Sequence, residues 1–303
     1  MASKVTIPDL LITLPGIIIV IFWLKKTSFG TKALVQTKNR RNNMPFYLPF
    51  IPLLIWIAVF TIQIIIKEQF NLPEYQSDYL DNLFYCTSAT VGMVVIIFLA
   101  KNHFARGLKG LGVKITNITR DFGFALLNLI AIYALVAAMV LLTLIIGKIT
   151  VGPDFVISKH QQLQVLTKHH QIPLIILVFI TTIFVMPVFE EMLFRGMLQS
   201  MLRSYLADRA LYKQQTNNTS SNFLSKPKAN DNKKNNSRSV WLSILITSGL
   251  FTAMHANKWQ WPALFTLAVC IGYSYEKSGS LLRPIFIHAL FNATNVTFVL
   301  LSS

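Results

Sequence analysis

Charge is scarce in this chain. Charged residues fill 13% of 303 positions, where a soluble domain of this size carries roughly a quarter. That excludes an ordinary soluble globular protein. Acids are scarcer still, 12 against 28 lysines and arginines. Only two cysteines occur, Cys86 and Cys270, both inside apolar runs, so neither a disulfide framework nor a zinc ribbon is available. There is no Gly-x-Ser-x-Gly and no His-Glu-x-x-His, which removes the serine elbow and the two-histidine zinc helix. No aspartate lies deep in an apolar run, so a paired-aspartate intramembrane site has no support either. No internal repeat is visible.

What the chain has instead is apolar length. Hydrophobic residues make up 53% of it, and the mean hydropathy is +0.51. A membrane-spanning helix needs about 20 consecutive apolar residues. Eight runs qualify as candidates, at 5–24, 46–66, 80–100, 122–146, 172–192, 240–255, 261–275 and 284–301. The sixth and seventh are short. None alternates with period two, and backbone in lipid must satisfy itself, so these runs are helices. The fold class is therefore all-α, a polytopic membrane protein with about eight transmembrane helices. The first run lacks a small-x-small cleavage site and reads as a retained helix.

The net charge of +16 raises the possibility of nucleic-acid binding, but its distribution argues against it. With the runs numbered, 21 basic residues fall in the odd-numbered connections and six on the other side, with Arg195 inside a run. Positive-inside bias then puts the odd connections in the cytoplasm and both termini outside. One connection stands apart. Residues 214–239, rich in Asn, Ser and Lys, have too few apolar groups to offset their ordering entropy, and a disordered cytoplasmic loop is expected there. This gives an N-terminal block, 1–171, with about four helices and no motif, and a second block, 172–301, interrupted by the loop.

The second block holds three polar constellations. Phe189-Glu190-Glu191-Met192-Leu193-Phe194-Arg195 sits at the end of the fifth run, where an ionised carboxylate costs kilocalories and usually marks a function. Glu191 and Arg195 are four apart and share a helix face, while Glu190 projects about 100° away. The plain reading of Glu191–Arg195 is an ion pair that cancels a buried charge. It leaves Glu190 to find another helix, a metal or a proton. Phe251-Thr-Ala-Met-His255 puts a histidine at the end of the sixth run, and His288-Ala-Leu-Phe-Asn292 puts a histidine and an asparagine on one face of the last. Either histidine alone is as readily an interhelical hydrogen-bond donor as a reactive group. Together with a free glutamate they suffice to activate water and to stabilise an oxyanion. The other four histidines, His103, His160, His169 and His170, fall in connections.

Glu-Glu-x-x-x-Arg, then Phe-x-x-x-His, then His-x-x-x-Asn resembles the ordered signature of the CAAX protease and bacteriocin-processing (CPBP) family of intramembrane proteases. That family includes the type 2 CAAX prenyl endopeptidase and bacterial lysostaphin-resistance-like proteins. The likeness runs from about Phe179 to Asn295, through Gly272-Tyr-Ser-Tyr-Glu-Lys-Ser-Gly-Ser-Leu-Leu-Arg-Pro. It implies that Glu190 and His255 activate the nucleophilic water and that His288 and Asn292 line the oxyanion hole. Glu191 and Arg195 match positions of structural or supporting use. Members are classed as metalloproteases, which would place zinc on Glu190, His255 and His288. A metal-free glutamate mechanism fits the same residues.

The expectation is an endopeptidase of an integral membrane, a bacterial cell membrane by the likeness, acting on peptides or proteins at the lipid bilayer and not on nucleic acid. The alternatives are a non-catalytic immunity or scaffold protein of the same fold, and a proton-coupled transporter, since intramembrane Glu and His also form relays. Simple counting exposes one tension. At 1.5 Å per residue, Glu190 and His288 fall near one face of the membrane and His255 toward the other, unless helices tilt or Pro187 kinks the fifth.

Overall fold

A computed structural model describes residues 7–35, 37, 44–104, 106–113, 115–157, 161–220 and 229–302. Among them every regular element is helical. The α-helices are α1 (Ile7–Lys26), α2 (Phe50–Lys67), α3 (Glu74–His103), α4 (Ile118–Thr150), α5 (Gln161–Lys168), α6 (Ile172–Ile180), α7 (Met186–Glu191), α8 (Ser200–Ser220), α9 (Ala229–Ala253), α10 (Trp261–Ser278) and α11 (Leu282–Ser302). Two π-helical segments, Thr181–Val185 and Met192–Gln199, flank α7.

Five described helical stretches are long and apolar enough to cross a membrane: Phe50–Lys67, Glu74–His103, Ile118–Thr150, Ile172–Ala210 and Leu282–Leu301. The chain is an all-α, polytopic membrane protein. The other three expected runs lie on α1, α9 and α10, which are not among the five. The reason is chemical for two of them. α9 opens on Asn, Asp and Lys before it turns apolar, and α10 ends in Tyr273-Ser274-Tyr275-Glu276-Lys277. The exterior is what lipid requires: α4 alone leaves Leu126, Leu127, Leu141, Leu142, Ile145 and Ile146 exposed, a continuous apolar surface that a soluble monomer avoids.

The loop expected over 214–239 needs correction at both ends. α8 continues to Ser220 and α9 begins at Ala229. Asn236 donates to the Thr37 carbonyl at 3.1 Å, and Ser237 and Ser239 are buried. Packing of the last turns before Val240 overrides the polar composition. Residues 221–228, like Lys4, Lys38, Arg40, Arg41, Lys114, Lys159 and His160, lie outside the described residues.

The described residues form two compact units. The first draws on 1–42, 127–156 and 198–279, the second on 43–126, 157–197 and 280–303. In the first, α9 packs between α8 and α10, and Ala33, Leu34, Val240 and Ile244 form a core. The Trp23 indole donates to the Tyr273 hydroxyl at 2.9 Å, and Trp241 stacks on the same ring. Arg203 and Glu276, both buried, form an ion pair, and Gln199 Nε2 donates to Glu276 Oε1 at 3.1 Å and to the Gly272 carbonyl at 3.2 Å. A Cβ on Gly272 would come within 2.9 Å of Gln199 Oε1, so only glycine lets that amide approach.

In the second unit α3 packs against α2, α6, α7 and the first π segment, and α11 packs against α5, α7 and that same segment. Leu166, Leu174, Val178, Ile183, Val296 and Val299 form its core. Polar clamps fix one end. His169 Nε2 meets Asp78 Oδ2 at 2.9 Å, Lys67 pairs with Asp81, and Lys168 pairs with Glu74. At the other end Arg283 donates to Asp121 through Nε and Nη2, at 3.2 and 2.9 Å.

Gly92 of α3 seats Phe189, the residue before the glutamate pair. A Cβ there would lie 2.5 Å from Phe189 Cε2. Trp56 of α2 backs the same ring at 5.6 Å between centroids, so the ring has little room to retreat. Gly92→Ala is expected to destabilise the protein by about 1–3 kcal/mol, the usual cost of overpacking, and to lower any activity that depends on Glu190. Thermal unfolding of the detergent-solubilised variant checks the first effect.

Candidate functional site

Two π turns interrupt the regular helical count along the segment that carries the glutamates. A π segment adds a residue to a turn and is often found at functional sites. Here one precedes Met186-Pro187 and the other follows Glu191, so neither a constant rise nor a constant 100° step holds across 172–199. Every residue from Glu191 to Ser200 is buried, which no single α-helical face would produce.

Glu191 is fully buried and forms the centre of a charged network. Its Oε2 lies 3.1 Å from Arg195 Nε, and its Oε1 accepts from Arg195 Nη1 at 3.2 Å. The same Oε1 lies 2.8 Å from His288 Nδ1. A carboxylate can only accept, so His288 carries its proton on Nδ1 and presents Nε2 outward. Glu190 Oε2 stands 3.6 Å from that Nε2, and the Glu190 side chain is 17% exposed against 0% for Glu191. The two glutamates leave their helix in different directions and still meet one imidazole, from its two nitrogens. One faces the interior ion pair and the other keeps an open edge.

Asn292, one turn after His288, donates through Nδ2 to the Thr182 carbonyl at 2.9 Å. The accepting carbonyl lies in the first π segment, where the regular helical ladder is interrupted. This ties α11 to the strand of chain that leads into the glutamates, and it uses one of the two N–H groups of the amide. Neither the Glu191–His288 bond nor the Asn292–Thr182 bond follows from spacing within one helix.

His255 belongs to the first unit. α9 ends at Ala253, so His255 sits in the turn beyond the helix and not on its last turn. Its Nδ1 donates to the Phe251 carbonyl at 3.0 Å, its ring lies 4.9 Å from that of Phe251, and its own carbonyl accepts from the Trp261 indole at 2.8 Å. Because a carbonyl can only accept, Nε2 is left as the acceptor nitrogen.

The donor set of the second unit does not fit a zinc ion. A catalytic zinc takes three protein ligands. Glu191 is engaged by Arg195 and by His288 Nδ1, and His288 Nε2 faces Glu190 at 3.6 Å, so outside the ion pair the second unit gathers two such side chains and not three. No set of three His, Cys, Asp or Glu side chains closes at metal-binding distance among the described residues.

Residues 172–294 match the family described as type II CAAX prenyl endopeptidase Rce1-like. The matched stretch contains Glu190, Glu191, Arg195, His255, His288 and Asn292. No curated protein and no solved structure matches the chain.

Proposed function

We propose that this chain, whose residues 172–294 match the family described as type II CAAX prenyl endopeptidase Rce1-like, is an intramembrane endopeptidase in which Glu190 is the base for the hydrolytic water. The observation that carries this reading is the asymmetry of the glutamate pair around His288: Glu191 is fully buried between Arg195 and His288 Nδ1, while the Glu190 side chain is 17% exposed beside Nε2. A carboxylate there takes a proton from water as the water oxygen attacks the carbonyl carbon of the substrate. The carbonyl oxygen becomes the oxyanion, and the remaining N–H of Asn292 donates to it, with His288 lining the same site. The C–N bond then breaks, and Glu190 returns its proton to the departing amine. The family likeness adds His255, whose acceptor Nε2 is in the form an imidazole needs to share a water proton.

Arg195 and Glu191 do not touch the reacting atoms in this scheme. They position His288, because an imidazole whose Nδ1–H is held by a buried carboxylate keeps one orientation and one tautomer. The proposed substrates are peptides or proteins associated with the membrane, and the proposed topology places both termini outside.

Comparing membrane peptides by mass spectrometry, with and without the chain, tests the activity. Cleavage products are expected only with the active protein. Purified protein stripped with chelators and reconstituted in liposomes is expected to retain that cleavage in full, since the chemistry rests on Glu190. Loss on stripping with recovery on zinc readdition would transfer water activation to a metal. No products from any membrane fraction would favour the scaffold reading.

A further inference from the structure

His255 is tied at three points, and one of them crosses to another helix. The last four carbonyls of an α-helix have no partner within it. α9 ends at Ala253, and His255 closes two of those carbonyls itself: its backbone N–H donates to Thr252 at 3.0 Å and its Nδ1 to Phe251 at 3.0 Å. The Phe251 ring lies 4.9 Å from the imidazole and is tilted by 50°. The third tie is the carbonyl of His255, which accepts from Trp261 Nε1 at 2.8 Å. Trp261 is the first residue of α10, so this bond fastens the start of one helix to the histidine that follows the other.

The same connection is braced from a distant part of the chain. Its turn of 3-10 helix, Lys258–Gln260, carries Trp259, whose backbone N–H donates to Asn257 Oδ1 at 3.1 Å. The Trp259 ring meets Phe155 edge-on, with 4.7 Å between centroids. Phe155 comes from the connection after α4 and fills the place of a side chain on that helix: a Cβ on Gly147 would lie 2.1 Å from Phe155 Cε1. Gly147, Phe155, His255, Trp259 and Trp261 all belong to the first unit. A buried tryptophan N–H usually finds some acceptor. Here the acceptor is the backbone of the histidine that the family likeness places beside the water, and fixing that backbone fixes where the imidazole starts and where Nε2 points.

We propose that Trp261 is a positioning residue for His255, with Phe155 bracing the same turn through Trp259, an assignment that rests on the hydrolase reading above. Neither side chain touches the reacting atoms. The first test is chemical and needs no turnover. The full chain, reconstituted in liposomes, is treated with diethyl pyrocarbonate, which acylates accessible imidazole nitrogens. Modification of each histidine is followed by mass spectrometry, with His103 as the internal standard. In Trp261→Phe, which keeps a ring and loses the N–H, His255 is expected to react several-fold faster because its turn is released. Trp23→Phe is the control: it removes another indole hydrogen bond of the same unit, to the Tyr273 hydroxyl, and His255 is expected to react there at the parent rate. Equal His255 rates in the parent and Trp261→Phe, or the same rise in Trp23→Phe, would overturn the proposal.

The second arm reads kinetics. Trp261→Phe is expected to lower kcat about tenfold, the scale of one well-placed hydrogen bond, with KM and thermal midpoint close to the parent's. Phe155→Leu is expected to lower kcat about threefold, the weaker effect of a lost ring contact, and it carries the test if Trp261→Phe does not fold. In a His255→Ala background Trp261→Phe is expected to cost nothing further, because residues acting through one group are not additive. A native kcat in Trp261→Phe, a change in KM alone, or the same tenfold loss repeated without His255 would contradict the assignment. If the parent protein cleaves nothing, the hydrolase reading fails, and the His255 acylation rates still decide whether Trp261 holds the turn.

Discussion

Glu191→Gln is expected to cost the folded protein about 3–5 kcal/mol, the penalty for stranding a buried charge by removing its partner. Arg195 is 1% exposed and faces both oxygens of Glu191, at 3.1 and 3.2 Å. A neutral amide there leaves the guanidinium without the carboxylate that balances it, in surroundings where water cannot replace that carboxylate. The same change weakens the hold on His288 Nδ1, now 2.8 Å from the carboxylate. Yield and thermal midpoint should both fall. Glu191→Gln combined with Arg195→Gln removes the stranded cation, and part of the lost stability should return. Activity should not return with it, because His288 remains held less firmly.

Glu190→Gln is expected to behave in the opposite way. The side chain sits at the open edge of the cluster, 3.6 Å from His288 Nε2, and an amide of the same shape can occupy the space without stranding a partner charge. The variant should fold, insert and melt like the parent. It cannot take a proton from water, so peptide cleavage should drop by about a hundredfold or more, the scale of a lost general base. His288 and Asn292 stay in place in this variant, which separates chemistry from assembly.

The helical class, the polytopic membrane character and the polar constellations were legible in the sequence because each has a local signal: apolar length, or residues four apart on one turn. The Glu191–Arg195 spacing was such a signal, and the pair is present at ion-pair distance. What escaped was whatever depends on contacts between distant segments. Nothing within 172–199 announces that His288, nearly a hundred residues later, will bridge Glu190 and Glu191, or that Asn292 will hold the carbonyl of Thr182. The π turns escaped as well, since a threonine pair and an ordinary apolar run carry no mark that distinguishes π from α. Composition alone also misjudged Asn236 to Ser239, a polar stretch that packing nonetheless turns into helix.

The most direct measurement places Glu190→Gln and Glu191→Gln side by side, with thermal midpoint and rate of peptide cleavage read on the same liposome preparations. The expected result is a crossed pattern: Glu190→Gln stable and inactive, Glu191→Gln destabilised. A stable, inactive Glu191→Gln beside an unstable Glu190→Gln would exchange the two roles, and full cleavage by both would contradict the hydrolytic site altogether.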